Sequence, residues 1–99
     1  MKYTPVFTEF SKLDYDNLDG SQKKQILKSL IKIEESGMNA GQPLHGILWD
    51  CRKLKHKKLG LRVIFKQSVI GIEIIEIVII GKREDNEVYD IAAKRLERR

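Results

Sequence analysis

A single cysteine, Cys51, among 99 residues excludes an intramolecular disulfide framework and fits a reducing compartment. Long apolar runs are missing too. The longest, Ile77 to Ile80, falls far short of the ~20 residues a membrane helix needs, and no charged-then-apolar signal precedes Tyr3. The expectation is a soluble, cytoplasmic protein without a membrane partner. Histidine is scarce: His45 and His56, taken with Cys51, give no ligand pair at zinc-like spacing. Glycines such as Gly60 and Gly81 stand alone, so no Gly-rich phosphate loop leads into a helix. No serine sits on an evident nucleophile elbow. Neither a metal site nor a cofactor is therefore expected.

What is present is charge, unevenly placed. The chain carries +5 overall, but between Gly41 and Lys66 seven bases (Arg52, Lys53, Lys55, Lys57, Lys58, Arg62, Lys66) face one acid, Asp50. That segment holds +6, leaving the remainder at −1. A localised positive field is the footprint of a polyanionic partner; a solvated basic hairpin is the plain alternative. The length suits one domain spanning residues 1–99, in which folding buries only ~60–70% of the unfolded chain's surface.

Periodicity supplies the elements. Lys2 to Phe7 reads as a short strand, which Pro5 restricts to an edge or a strand start. Phe10 to Leu18 reads as a short helix or turn. Asp19 or Ser21 can cap a longer helix: Gln22 follows Asp19 by three, and Ile26, Leu27, Leu30, Ile31 and Ile33 recur at helical spacing until Ser36-Gly37. Gly37 to Pro43 reads as a loop. The period then falls to two. Cys51 to Lys55, Leu61 to Lys66 and Ile72 to Ile80 are read as strands joined by short turns, the last apolar on both faces except at Glu73 and Glu76 and therefore central. Asp85 or Asn86 caps a final helix with Glu87 and Asp90 in its first turn and Lys94, Arg95, Arg98 and Arg99 in its last, as the helix dipole favours. The predicted class is α+β: a small antiparallel sheet, made of the N-terminal strand and a three-strand meander, packed against N-terminal helices and followed by a C-terminal helix.

On such a sheet Lys53 and Lys55 share a face, and the next strand brings Arg62 beside them. Arg83 follows the long strand and Tyr89 lies on the last helix. A helix folded back over the sheet would gather these cations and one aromatic ring in a groove. Arginine and lysine neutralise phosphate, and a tyrosine ring stacks on a splayed base, so single-stranded RNA is the favoured ligand. RNA also carries its own nucleophile, the 2′-hydroxyl beside each phosphate, so a protein that cuts it needs only a base, an acid and charge stabilisation. Lysine at its ordinary pKa of ~10.4 is a poor base. Crowding Arg52, Lys53, Lys55, Lys57 and Arg62 together disfavours one more positive charge and tunes a lysine toward that role. His56 is a competing base, set opposite Lys55 if the strand is regular.

The order of these residues resembles the RelE family, toxins of type II toxin–antitoxin modules. The likeness covers most of the chain and is strongest from Leu44 to Leu96: through Leu44-His45-Gly46, Cys51-Arg52-Lys53-Leu54-Lys55 and Gly60-Leu61-Arg62-Val63, then Gly81-Lys82-Arg83-Glu84-Asp85-Asn86-Glu87-Val88-Tyr89 and Ala93-Lys94-Arg95-Leu96. The resemblance implies a RelE-like fold and a metal-independent, ribosome-dependent endoribonuclease that cuts mRNA in the ribosomal A site. The 2′-hydroxyl would attack the adjacent phosphate and leave a 2′,3′-cyclic phosphate. Lys55 would be the general base, Arg62 would stabilise the transition state, Arg83 would protonate the leaving group and Tyr89 would stack on the base. Lys53, Arg52, Lys57, Lys58 and Lys82 would contact RNA. The implied partners are a cognate antitoxin, the ribosome with its mRNA, and operator DNA reached only through the toxin–antitoxin complex. Two other readings use the same residues differently: a ParE-like toxin that inhibits DNA gyrase without chemistry of its own, and a noncatalytic nucleic-acid-binding module.

Overall fold

The protein is described from a computed structural model, covering residues 2–82 and 87–98. Its elements run β1 (Thr4–Phe7), α1 (Glu9–Asp16), α2 (Gly20–Ser36), β2 (Gln42–Pro43), β3 (Cys51–His56), β4 (Leu61–Gln67), β5 (Ile74–Lys82) and α3 (Glu87–Arg95), with 3-10 turns at Gly37–Ala40 and Gly46–Leu48. The α+β class is as predicted. The sheet has the order β1-β5-β4-β3-β2, with the long apolar strand inside it.

Two features of that sheet differ from the prediction. It is mixed rather than antiparallel, because β1 runs parallel to β5, from Thr4 opposite Ile74 to Phe7 opposite Ile77. Short turns dictate the directions of β3, β4 and β5, but no tight turn joins β1 to its neighbour, so packing alone sets its sense. Gln42 and Pro43, read as loop, add a two-residue edge strand against Lys53 and Arg52. Gly41 permits this approach: a Cβ there would lie 2.7 Å from both the Lys53 carbonyl oxygen and the Phe65 ring.

Both N-terminal helices start with reciprocal caps. Asp19 and Gln22 form the predicted capping box of α2, and Thr8 and Ser11 form another for α1. The buried line of α2 is Ile26, Ser29 and Ile33, whereas Leu27 and Ile31 are about half exposed. At 100° per residue these two fall beside the line rather than on it. Strand β5 starts at Ile74 instead of Ile72, because the Ser68 amide closes the hairpin on the Ile74 carbonyl at 2.9 Å and leaves Ile72 in its exposed tip.

Helices α1 and α2 cover one face of the sheet, over Leu61, Val63, Phe65, Ile75, Ile77 and Ile80. Helix α3 covers the other through Val88, Ala92 and Ala93, over Cys51, Ile64, Val78 and Ile79. A bulge at Val78, where Ile64 pairs with Ile79 but Phe65 pairs with Ile77, inverts the alternation, so Ile77 and Ile80 point to the same side. Helix α3 ends at Arg95, earlier than predicted. Glu97 takes φ 58°, the Arg98 amide donates to the Ala93 carbonyl at 2.8 Å and the Glu97 amide to that of Lys94 at 3.0 Å. This C-terminal turn carries Arg98 out of the helix and onto Asp50. The predicted caps Asp85 and Asn86, and Arg99, lie outside the described residues. Among the described residues no helix is long and apolar enough to cross a membrane.

Candidate active site

Strand alternation places Lys53 and Lys55 on the α3 side of the sheet, and in the β3–β4 ladder Lys55 stands directly opposite Arg62. Arg62 in turn pairs with Gly81 on β5. A Cβ at Gly81 would sit 3.0 Å from Val88 Cγ2, so the glycine lets the start of α3 come close to the strands beside Arg62. That approach brings Tyr89 over the two strands. The Arg62 guanidinium lies 5.2 Å from the Tyr89 ring centroid and Lys53 Nζ 5.6 Å from it. Both donate to the phenol oxygen, Arg62 through Nη1 and Lys53 through Nζ at 3.3 Å.

These three side chains close one end of a groove of about 630 Å³, within the range of small-molecule sites. Its far wall is the turn from Leu44 to Leu48, and Asp90 stands beside Tyr89 on the near one. His45 and Asp90 are groove residues that the sequence reading missed. His45 counts there only as a histidine without a metal-ligand partner and Asp90 as an acid of a helix start, and no spacing marks the meeting of that turn with α3. Arg62 Nε is buried and has no hydrogen-bond acceptor among the described residues. An unmet buried donor costs about 1–3 kcal/mol.

The structure separates other residues that were expected to cluster. Arg52 alternates with Lys53, faces the opposite side of the sheet and donates to the Gly41 carbonyl at 3.2 Å. It does not crowd the Lys53–Arg62 pair. Lys57 and Lys58 lie in the exposed turn after β3 and line a second hollow with Lys55 and with Lys28 of α2. Lys82 pairs with Leu61 rather than Arg62, which puts it on the face of the larger core. Arg83 lies outside the described residues.

His56 also belongs to the face away from the groove. It hydrogen-bonds the buried Ser29 hydroxyl on α2, and burial, then the positive charges of Lys32 and Lys28, hold its pKa below the usual 6.5. A histidine harder to protonate when folded contributes stability that is complete above about pH 6.5 and erodes as pH falls below it, levelling off beneath the folded pKa. Urea unfolding at pH 7.5, 6.5 and 5.5 is therefore expected to show stability falling toward pH 5.5. His56→Gln is expected to flatten that fall; an equal slope in the variant would assign it to other groups.

Cys51 is buried beneath α3, and burial with the adjacent Asp50 pushes its thiol up to about 11, far from a nucleophile's range. Asp50 is held below the usual carboxylate range by the Arg98 guanidinium. Among the described residues no three His, Cys, Asp or Glu side chains gather to hold a metal.

No family model matches the chain. Curated relatives do. The chain is 33% identical over 97 residues to the mRNA interferase toxin RelE of Escherichia coli strain K12, covering 97% of this chain and 99% of that protein. Among solved structures, an arginine-to-alanine double mutant of E. coli toxin RelE in the free state matches with a TM-score of 0.79 and 29% identity, over 97% of this chain and 99% of that one. The same mutant bound to a peptide of its antitoxin RelB matches with a TM-score of 0.73 and 27% identity, over 93% and 95%.

Proposed function

The chain belongs to the RelE family of toxins, and from that premise we propose that it is an endoribonuclease that cuts mRNA in the ribosomal A site and so halts translation. The observation that supports this reading best is the meeting of Lys53, Arg62 and Tyr89 at one end of a groove, with Lys55 directly across the ladder from Arg62. These residues come from two strands and a helix, and each supplies something that cleavage by an internal nucleophile requires.

Lys55 takes the proton of the 2′-hydroxyl, whose oxygen attacks the neighbouring phosphorus. The bond from phosphorus to the 5′-oxygen of the next nucleotide breaks, leaving a 2′,3′-cyclic phosphate and a 5′-hydroxyl. Arg62 lies against the phosphoryl oxygens where negative charge accumulates, a position in which a fixed cation acts most strongly. Lys53 adds a second positive charge beside it. Tyr89 stacks on the base and sets the angle of its ribose; ring stacking contributes about 1–3 kcal/mol per base. Arg83 returns a proton to the departing 5′-oxygen. Lys57 and Lys58, on the rim beyond Lys55, hold phosphates further along the strand. Arg52 and Lys82, which face away from the groove, meet RNA only where a large partner wraps the edges of the sheet.

A ribosome is such a partner. A cognate antitoxin restrains the toxin, and their complex reaches operator DNA. The RelE mutant seen with a RelB peptide supports the antitoxin part of this reading. Expression of the chain alone is expected to arrest growth, with primer-extension stops inside translated codons only when ribosomes are present. Arg83→Ala is expected to relieve the arrest while the protein stays folded. Equal cutting of naked RNA would refute ribosome dependence, and full toxicity of a folded Arg83→Ala protein would remove Arg83 from the chemistry.

A further inference from the structure

Strand β1 ends at Phe7, where Thr8 turns the chain into α1. Strand β5 continues to Lys82 and so loses its outer partner after Ile77. Beyond the bulge, the next outward-facing groups on that open edge are the Val78 carbonyl and the Ile80 amide. Both are met, but by side chains. The Ile80 amide donates to Asp14 Oδ2 at 3.1 Å, and Arg95 Nη1 donates to the Val78 carbonyl at 3.0 Å. The two side chains also join in a fork, Nη1 to Oδ2 at 2.6 Å and Nη2 to Oδ1 at 2.9 Å. One acceptor and one donor thus stand where a longer β1 would have placed a residue's carbonyl and amide. The pair is about four-fifths buried, and the Arg95 guanidinium also lies 5.7 Å from the Phe10 ring centroid.

We propose that Asp14 and Arg95 are positioning residues for the cleavage reaction, holding α3, and with it Tyr89, in register against Arg62 and Lys53. Neither side chain reaches the groove. Two of the three side chains that α3 buries are alanines, Ala92 and Ala93, which offer little shape to prevent the helix from sliding or rolling. The fork adds a directional constraint to the packing of Ile91 and Leu96 and to the Arg98–Asp50 pair beyond the helix end, since planar bidentate contacts fix direction as well as distance. Arg95 follows Tyr89 on the same rigid helix by about 9 Å of rise, so a shift at one is carried to the other. A misplacement of about 1 Å at a reacting centre can cost on the order of 10²-fold in rate.

The inference rests on the ribonuclease reading, and its test separates the two. Arg95→Lys and Asp14→Asn keep polar groups at both positions but break the fork. On programmed ribosomes at 25 °C each is expected to lower kcat at least about tenfold with KM within about twofold. The tyrosine Cζ resonance of Tyr89 should move while that of Tyr3 stays, and Asp14→Ala should speed exchange of the Ile80 amide at least about tenfold relative to that of Val63. A folded Arg95→Lys protein with parental kcat overturns the proposal. So does a loss of activity that tracks the unfolded fraction and disappears on cooling, or one that leaves the Tyr89 resonance in place. A parent protein inactive on ribosomes defeats the ribonuclease reading alone, and the Tyr89 resonance and Ile80 exchange then decide whether the pair positions the helix.

Discussion

Arg62→Ala is expected to remove growth arrest and to slow single-turnover cleavage on programmed ribosomes by about 10²–10³-fold, the effect of deleting one fixed donor to a developing oxyanion. Arg62 has two roles in the groove. In the proposed mechanism its guanidinium supplies charge where the phosphorane forms, and in the structure it donates to the Tyr89 hydroxyl while lying against that ring. On that proposal, removing it takes away transition-state stabilisation and loosens the Tyr89 ring together. The fold is expected to tolerate the change. The side chain is only half-buried, and a cation–ring contact of this kind contributes about 0.5–1 kcal/mol, small beside the ~5–15 kcal/mol stability of a domain. Arg62→Lys keeps the charge without the fork and should fall between the two. Urea unfolding measured beside the kinetics separates chemistry from folding. A folded Arg62→Ala protein cleaving within about threefold of the parent would show that this arginine does not meet the phosphate in the transition state.

Phe65→Ala is expected to have the largest effect on stability, about 3–5 kcal/mol. Phe65 is fully buried on the face under α1 and α2, with its ring edge against Gly41. Replacing it opens a cavity bounded by two strands and a helix, which cannot close without moving one of them. For a domain of this size the melting temperature should drop by more than about 12 °C. Because the ring also supports Gly41 and the short β2 edge beside Lys53, RNA cleavage should fall in parallel with the folded fraction. Val69→Ala provides the contrast: Val69 is 95% exposed in the hairpin tip, and its loss should change stability by less than about 0.5 kcal/mol. Comparable melting curves for the two variants would contradict the placement of the core.

Much of the candidate site was legible because its signals are local. The cations of Cys51 to Lys66 stand on two consecutive strands, and period two puts Lys53 and Lys55 on one face and His56 on the other without any knowledge of the fold. Asp19 and Gln22 specify a helix start through three-residue geometry. The apolar run of β5 announces a strand in the middle of the sheet. Less legible were Leu27 and Ile31, which count as apolar in any helical pattern yet lie off the buried line of α2. Arg52 counts as a cation in any charge tally, yet turns to the back of the sheet.

The amino-acid order by itself determined an α+β chain, the caps of α2, the inner place of β5 and a concentrated positive segment on adjacent strands, since each follows from neighbours a few residues apart. Tertiary structure decided the parallel pairing of β1 with β5, the one-residue bulge at Val78, the meeting of His45 and Asp90 around one groove, and the Asp14–Arg95 pair on the open edge of β5. The physical reason is sequence distance. Asp14 and Arg95 are 81 residues apart and meet only because β1 is too short to cover β5, a property of how the layers close that no local period records.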